Sequence, residues 1–248
     1  MTEFLTVFSP LQIAAAAVAT FSAALVRGLT GFGFGILLVP ILALALAPVE
    51  AVLAVNIMAA LMALSDIRLI LREAERSAFV IGGLVVIGTA PGLLLLSLTP
   101  VDVARLLIAL VALSAFIAVL LPSRGVQQHG ALTTSATGLS AGLLTGFAGM
   151  PGPPVVPYYV GRDIPRATAK ASMIAVFGIA AVAAAGSGFA MGALDTRILA
   201  LSLSLFPLVL LGNWIGSLAF GKVSDGLWRA MVGIVLGAAA LAALLRLF

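Results

Sequence analysis

The chain is a succession of apolar stretches separated by isolated ionised side chains, with no sustained alternation of apolar and polar positions. Cutting it at the ionised residues leaves nine windows, at 4–26, 28–49, 51–65, 77–101, 106–123, 125–161, 171–194, 198–221 and 230–245. A helix needs about 20 predominantly apolar residues to cross the hydrocarbon layer of a bilayer, and most of the windows reach that length. The shortest borrow length from flanking charges that snorkel to the interface. The sixth is long enough for one full helix and a shorter second element, which brings the expected total to ten segments.

Whether the Gly-rich stretches 28–49 and 150–161 both cross decides the topology, because cytoplasmic loops concentrate Lys and Arg. If both cross, Arg27, Arg68, Arg72, Arg76, Arg124, Arg162, Arg166, Lys170, Lys222 and Arg229 share one side, with only Arg105, Arg197 and Arg246 opposite. If both merely re-enter, giving eight spans, the cations split almost evenly. Ten crossings with both termini outside is therefore the expected arrangement.

The chain also echoes itself. Leu29-Thr30-Gly31-Phe32 recurs as Leu144-Thr145-Gly146-Phe147, each followed by Gly-rich, Pro-containing sequence ending in Val-Pro. Gly88 and Gly92 precede Arg105 at the spacing with which Gly212 and Gly216 precede Arg229. Five segments per half is an odd number, so the halves, 1–122 and 131–248 around a polar linker at 123–130, enter the membrane in opposite directions. The expected fold class is an all-α polytopic membrane protein: two inverted five-segment repeats in one integrated domain, the second segment of each broken or re-entrant.

Composition changes the picture chiefly by exclusion. Apolar residues make up 62% of the 248 and charged residues 9%, against about 25% charged in soluble domains, so lipid is the solvent. The formal net charge of +4 is spread along the loops, which gives nucleic-acid binding no support. Without Cys there is no disulfide, thiolate metal site or thiol nucleophile. Glu3, with no cation before the first apolar run, suits a retained first helix better than a cleaved signal.

The chemistry concentrates in two segments, Arg27–Pro40 (RGLTGFGFGILLVP) and Gly142–Pro157 (GLLTGFAGMPGPPVVP). Clustered Gly and Pro interrupt helices, and in lipid the freed backbone groups are tolerated only against protein or a water-filled cavity. Matched breaks in two halves point to a binding site, and a helix start attracts anions through its amides and dipole. The alternative is that these glycines only let helices pack closely.

The duplicated GLTGFGFG and LLTGFAGMPG stretches, with Ala90-Pro91-Gly92 in the fourth helix, resemble the TauE/SafE family over the whole chain. These are membrane proteins associated with export of sulfite and organosulfonates. Met150, Pro151, Pro153 and Pro154 depart from the family's Gly-rich pattern in the second copy. The resemblance implies a small anion as substrate, moved by alternating access across a bacterial inner membrane, with no cofactor. The pocket expected between the breaks draws on Thr30, Gly31, Phe32 and Gly33 in the first and on Thr145, Gly146, Gly149 and Gly152 in the second.

The residue inventory agrees. None of the nine Asp and Glu falls near the middle of an expected span, whereas a cation or metal carrier would bury carboxylates or His there. Asn56, and Ser172 at the corresponding place in the second half, are candidate polar contacts to the breaks, as is Asn213 beside Trp214; each alternatively bonds a neighbouring helix. Arg27 and Lys170 stand where positive charge would draw anions to the inner mouth, or else anchor the inner leaflet. Gly138, Gly142 and Gly146, like Gly212 and Gly216, have the small-xxx-small spacing of close helix contacts, within one chain or across a homodimer.

Two other classes compete. Gly138–Gly142 (GLSAG) fits G-x-S-x-G, but Ser140 needs a base within reach, and the only His, His129, lies in the linker. An accessory scaffold would need no matched breaks.

Overall fold

The computed structural model describes residues 10–120 and 130–219. They form helices α1 (Pro10–Thr30), α2 (Phe34–Leu42), α3 (Pro48–Ser65), α4 (Ile67–Glu73), α5 (Arg76–Leu98), α6 (Val101–Leu120), α7 (Ala131–Ala148), α8 (Gly152–Val160), α9 (Arg166–Ala190) and α10 (Thr196–Leu218). Among the described residues there is no strand, as expected where every backbone group in lipid must be satisfied within its own segment. Most of the linker, His129 included, and the final window at 230–245 lie outside the described residues.

Five helices are long and apolar enough to cross a membrane: Ile13–Thr30 of α1, and α3, α5, α9 and α10 in full. At about 1.5 Å per residue, α2 and α8, nine residues each, reach only about 14 Å, roughly half of the hydrocarbon layer. The window at 28–49 thus holds no full-length helix. Nor does Arg27 separate two segments, because α1 continues through it to Thr30. The long sixth window resolves as expected, into α7 and the short α8.

The helix ends follow from local chemistry. Pro48 opens α3, where the Glu50 carboxylate accepts from Ala47 N at 3.0 Å. Asp195 caps α10 by accepting from Arg197 N at 3.3 Å. Gly149, at φ 66°, ends α7 in a Schellman-type turn, with Gly149 N donating to Thr145 O and Met150 N to Leu144 O.

Glycine then sets the packing. Cβ atoms built on Gly142 would lie 2.5 Å from Val85 O and 2.8 Å from Gly88 Cα, and one on Gly146 would overlap Thr89 O, so α7 lies backbone to backbone along α5. Gly212 meets Phe21 O and Leu25 N, and Gly216 meets Leu25 O and Leu29 N, which lays α10 along α1 in the same way. Residue numbers rise together in both pairs, so each pair is parallel. These faces are filled by helices of the same chain. Gly142→Val is expected to destabilise the protein by about 1–3 kcal/mol through overpacking. A thermal melt in detergent should show it as a midpoint lowered by roughly 2–10 °C, with Gly83→Ala, which has nothing within 4 Å, unchanged.

The short helices sit inside this frame. Leu37, Leu38 and Val39 of α2 are buried with Val52, Leu53 and Met58 of α3, and Val155 and Tyr159 of α8 with Ile81 and Val85 of α5. Polar contacts orient them. Tyr159 Oη lies 3.0 Å from Ser77 Oγ and Tyr158 Oη 3.0 Å from Thr134 Oγ1, while Arg162 pairs with Glu75. The chain therefore turns at Gly149 and comes back along α8 towards the end at which α5 and α7 begin. At the first break Lys170 Nζ donates to Gly28 O at 2.8 Å, and Arg105 Nε donates to Ala43 O at 2.8 Å just past α2. Hence α2 leaves the end marked by Lys170 and runs towards that marked by Arg105. The two turns enter the bundle from opposite ends and meet.

Candidate functional site

The meeting point is a cavity of about 40 Å³, lined by residues 32–36 of the first break, 149–152 of the second, Arg27, Val55, Asn56 and Ala59, and Phe177 and Gly178 of α9. A buried water needs roughly 10–15 Å³ measured this way, so the space suits a ligand of a few heavy atoms. Asn56 stands near the middle of α3, and Phe177 near the middle of α9. The closeness depends on two glycines without side chains: a Cβ on Gly35 would overlap Gly149 O, and one on Gly149 would lie 2.9 Å from Val39 Cγ2.

Thr30 shapes the first break. Its hydroxyl lies 2.8 Å from both Val26 O and Phe32 O and accepts from Phe32 N at 3.1 Å, fixing the turn rather than facing the cavity. Gly31 and Gly33 take φ of 88° and 96°, left-handed values that L side chains resist. The first bond of α2 runs from Leu37 N to Gly33 O, and no side chain caps the helix. The N–H groups of Gly33, Phe34, Gly35 and Ile36 are thus the four that a helix start leaves without helical partners.

The second break is chemically different. Of the corresponding four positions, Pro151, Gly152, Pro153 and Pro154, three are prolines without an N–H, so Gly152 alone offers an amide. Sequence reasoning assigned backbone donors to both breaks; the second helix start supplies one amide against four at the first. Thr145 is fully buried with its hydroxyl on Ala141 O at 2.6 Å, and Gly146 faces α5, so neither reaches the cavity.

The quartets that suggested the repeat also fall out of step. Thr30 and Ala148 end their helices, Phe34 and Gly152 begin the next, and Pro48 and Arg166 begin the ones after, equally far apart in sequence each time. On that register Gly31 corresponds to Gly149, both left-handed, and not to Gly146, one helical turn earlier.

Asn56 is 3% exposed. Its Nδ2 donates to Val52 O at 2.8 Å and keeps a second N–H, and it lies 3.4 Å from where a Cβ on Gly149 would stand at the cavity wall. Arg27, 5% exposed, is held from two sides, by Asp66 Oδ2 at 2.9 Å and by Asn213 Oδ1 at 2.8 Å. Asn213 acts on the guanidinium and not on the cavity. Lys170 packs beneath Gly31, where a Cβ would lie 2.7 Å from its Cγ. Ser172 is away from the break, its Oγ accepting from Glu75 N at 2.9 Å.

Sequence reasoning missed Gly35, Ile36, Met150, Pro151 and Phe177, and the pairing of Asp66 with Arg27. The alternating glycines at 31, 33 and 35 carried a signal for Gly35; nothing in the sequence marked Phe177. Ser140, the candidate nucleophile, donates to Ala136 O at 2.6 Å on its own helix. Among the described residues no group of three His, Cys, Asp or Glu comes together as a metal site.

A family model described as sulfite exporter TauE/SafE matches residues 16–243. No curated protein and no solved structure matches the chain.

Proposed function

The chain belongs to the TauE/SafE sulfite exporter family, and from that premise we propose that it is a secondary transporter carrying a small sulfur oxyanion or short organosulfonate through the cavity between the two breaks. Membership and the five long apolar helices make it a multi-pass membrane protein. The reading places it in a bacterial inner membrane, with the basic ends of α4, α5 and α9 inside.

One observation carries the reading: the start of α2, whose first four amides have no helical partner, and the buried Asn56 line one cavity midway along α3 and α9. Amides at a helix start bind oxyanions without a full countercharge, and a buried site strengthens them. Alternating access is supported by the arrangement of the halves: α1 lies along α10 as α7 lies along α5, and the two turns enter from opposite ends. Such a pattern suits inverted repeats rocking about a shared site. Export could run on the membrane potential alone, which favours an anion's exit by about 2.3 kcal/mol per charge per 100 mV.

Counterflow in proteoliposomes tests the function. Vesicles preloaded with sulfite or a short alkanesulfonate should accumulate the labelled anion transiently, and Asn56→Leu should lower that uptake at least about ten-fold, as expected on losing a hydrogen bond to a charged group, with the protein eluting normally in detergent. Uptake of divalent metal with no response to any anion would refute the reading. The scaffold alternative predicts no counterflow with either protein.

A further inference from the structure

We infer that the second break is an apolar subsite, so that the pocket takes an organic anion head first, its oxyanion on α2 and its carbon substituent against Met150, Pro151 and Phe177. This rests on the transport reading above and names the substrate class within it: a short alkyl or substituted-alkyl monoanion in preference to a bare inorganic dianion.

The helix-start donors come almost wholly from the first break. Gly33, Phe34, Gly35 and Ile36 present N–H groups from the first break, whereas prolines remove three of the four from the second, leaving Gly152. Asn56 adds a buried amide from α3, whose Nδ2 donates one N–H to Val52 O and keeps a second. The other described lining residues Met150, which is fully buried, Phe177, Val55 and Ala59 bring apolar side chains with no hydrogen-bond donor. Among the described lining residues the one cation, Arg27, is already paired with Asp66. A small dianion bearing oxygens all round would lose hydration on the Met150 side and gain nothing there. A monoanion whose far side is hydrocarbon loses no hydrogen bonds on that wall and buries apolar surface.

The test is competition in counterflow, measured for sulfite, methanesulfonate, ethanesulfonate and propanesulfonate on the full-length protein. Each methylene that enters the subsite should tighten apparent affinity about four-fold, the equivalent of roughly 0.8 kcal/mol, and all three sulfonates should outcompete sulfite. Pro153→Ala restores an N–H at the second break with little demand on helix geometry, and it should move selectivity towards sulfite by about ten-fold. Phe177→Leu should flatten the chain-length gradient. Sulfite outcompeting every sulfonate, or a gradient absent from the parent protein, overturns the inference and leaves anion transport standing. Absence of counterflow with all four anions overturns the transport reading and this inference with it.

Discussion

Gly35→Ala is expected to abolish transport, with turnover falling at least about 100-fold. The new methyl would overlap Gly149 O, and what it meets is main chain at the corner of a helix end rather than a side chain able to rotate away. Overpacking of a rigid site costs about 1–3 kcal/mol or more. The cheapest relief is to separate the two breaks, which pulls the α2 amides away from Asn56. Gly152→Ala provides the graded comparison, since its Cβ would meet only the end of the Ile36 side chain, at 3.1 Å. That variant should fold normally and transport more slowly. Thermal midpoints measured beside counterflow rates separate a damaged pocket from a damaged fold. A Gly35→Ala protein with unchanged rate and midpoint would contradict the close crossing.

The second large effect is expected at Asp66. Its carboxylate is the acidic partner of Arg27, whose side chain is 6% exposed. Removing one member of a buried pair leaves an uncompensated charge, at a cost of roughly 3–5 kcal/mol. Asp66→Asn keeps the shape and a hydrogen-bond acceptor, so the loss should fall at the lower end, as a clearly lowered thermal midpoint. The same change uncovers the guanidinium charge at the edge of the cavity. Anion affinity should rise about ten-fold, as follows from a Coulomb gain of about 1–2 kcal/mol at an effective dielectric near 20, and turnover should slow because the ion leaves reluctantly. Arg27→Met combined with Asp66→Leu should recover stability while showing neither effect on affinity. Weaker anion binding in Asp66→Asn would show that Arg27 plays no electrostatic part in the site.

Much of this was legible in the sequence, because lipid restricts what a chain can do. Long uncharged windows had to be helices, and the spans of α3, α5, α9 and α10 begin and end within about five residues of windows cut at ionised groups. The clusters at 31–35 and 149–154 announced two breaks, since no sequence with that density of Gly and Pro holds a continuous helix. The register of the echo misled. The Leu-Thr-Gly-Phe quartets match as letters, yet Gly31 turns the chain while Gly146 lies against α5, because their neighbours decide where each helix stops. The role of Arg27 was illegible for a related reason: a cation close to a span end reads as an anchor until its partners, Asp66 and Asn213, are brought to it from far along the chain. Phe177 carried no local signal at all, since one aromatic in an Ala-rich helix looks like any other packing residue.

The natural absence of Cys permits the most direct measurement of where the anion sits. Ala59→Cys places a single thiol on the cavity wall, and Thr196→Cys places one on the exposed start of α10. In proteoliposomes, ethanesulfonate should slow maleimide labelling of Ala59→Cys saturably, over the concentrations that compete in counterflow, without changing the labelling of Thr196→Cys. Labelling of Ala59→Cys indifferent to every transported anion would contradict a binding site between the two breaks.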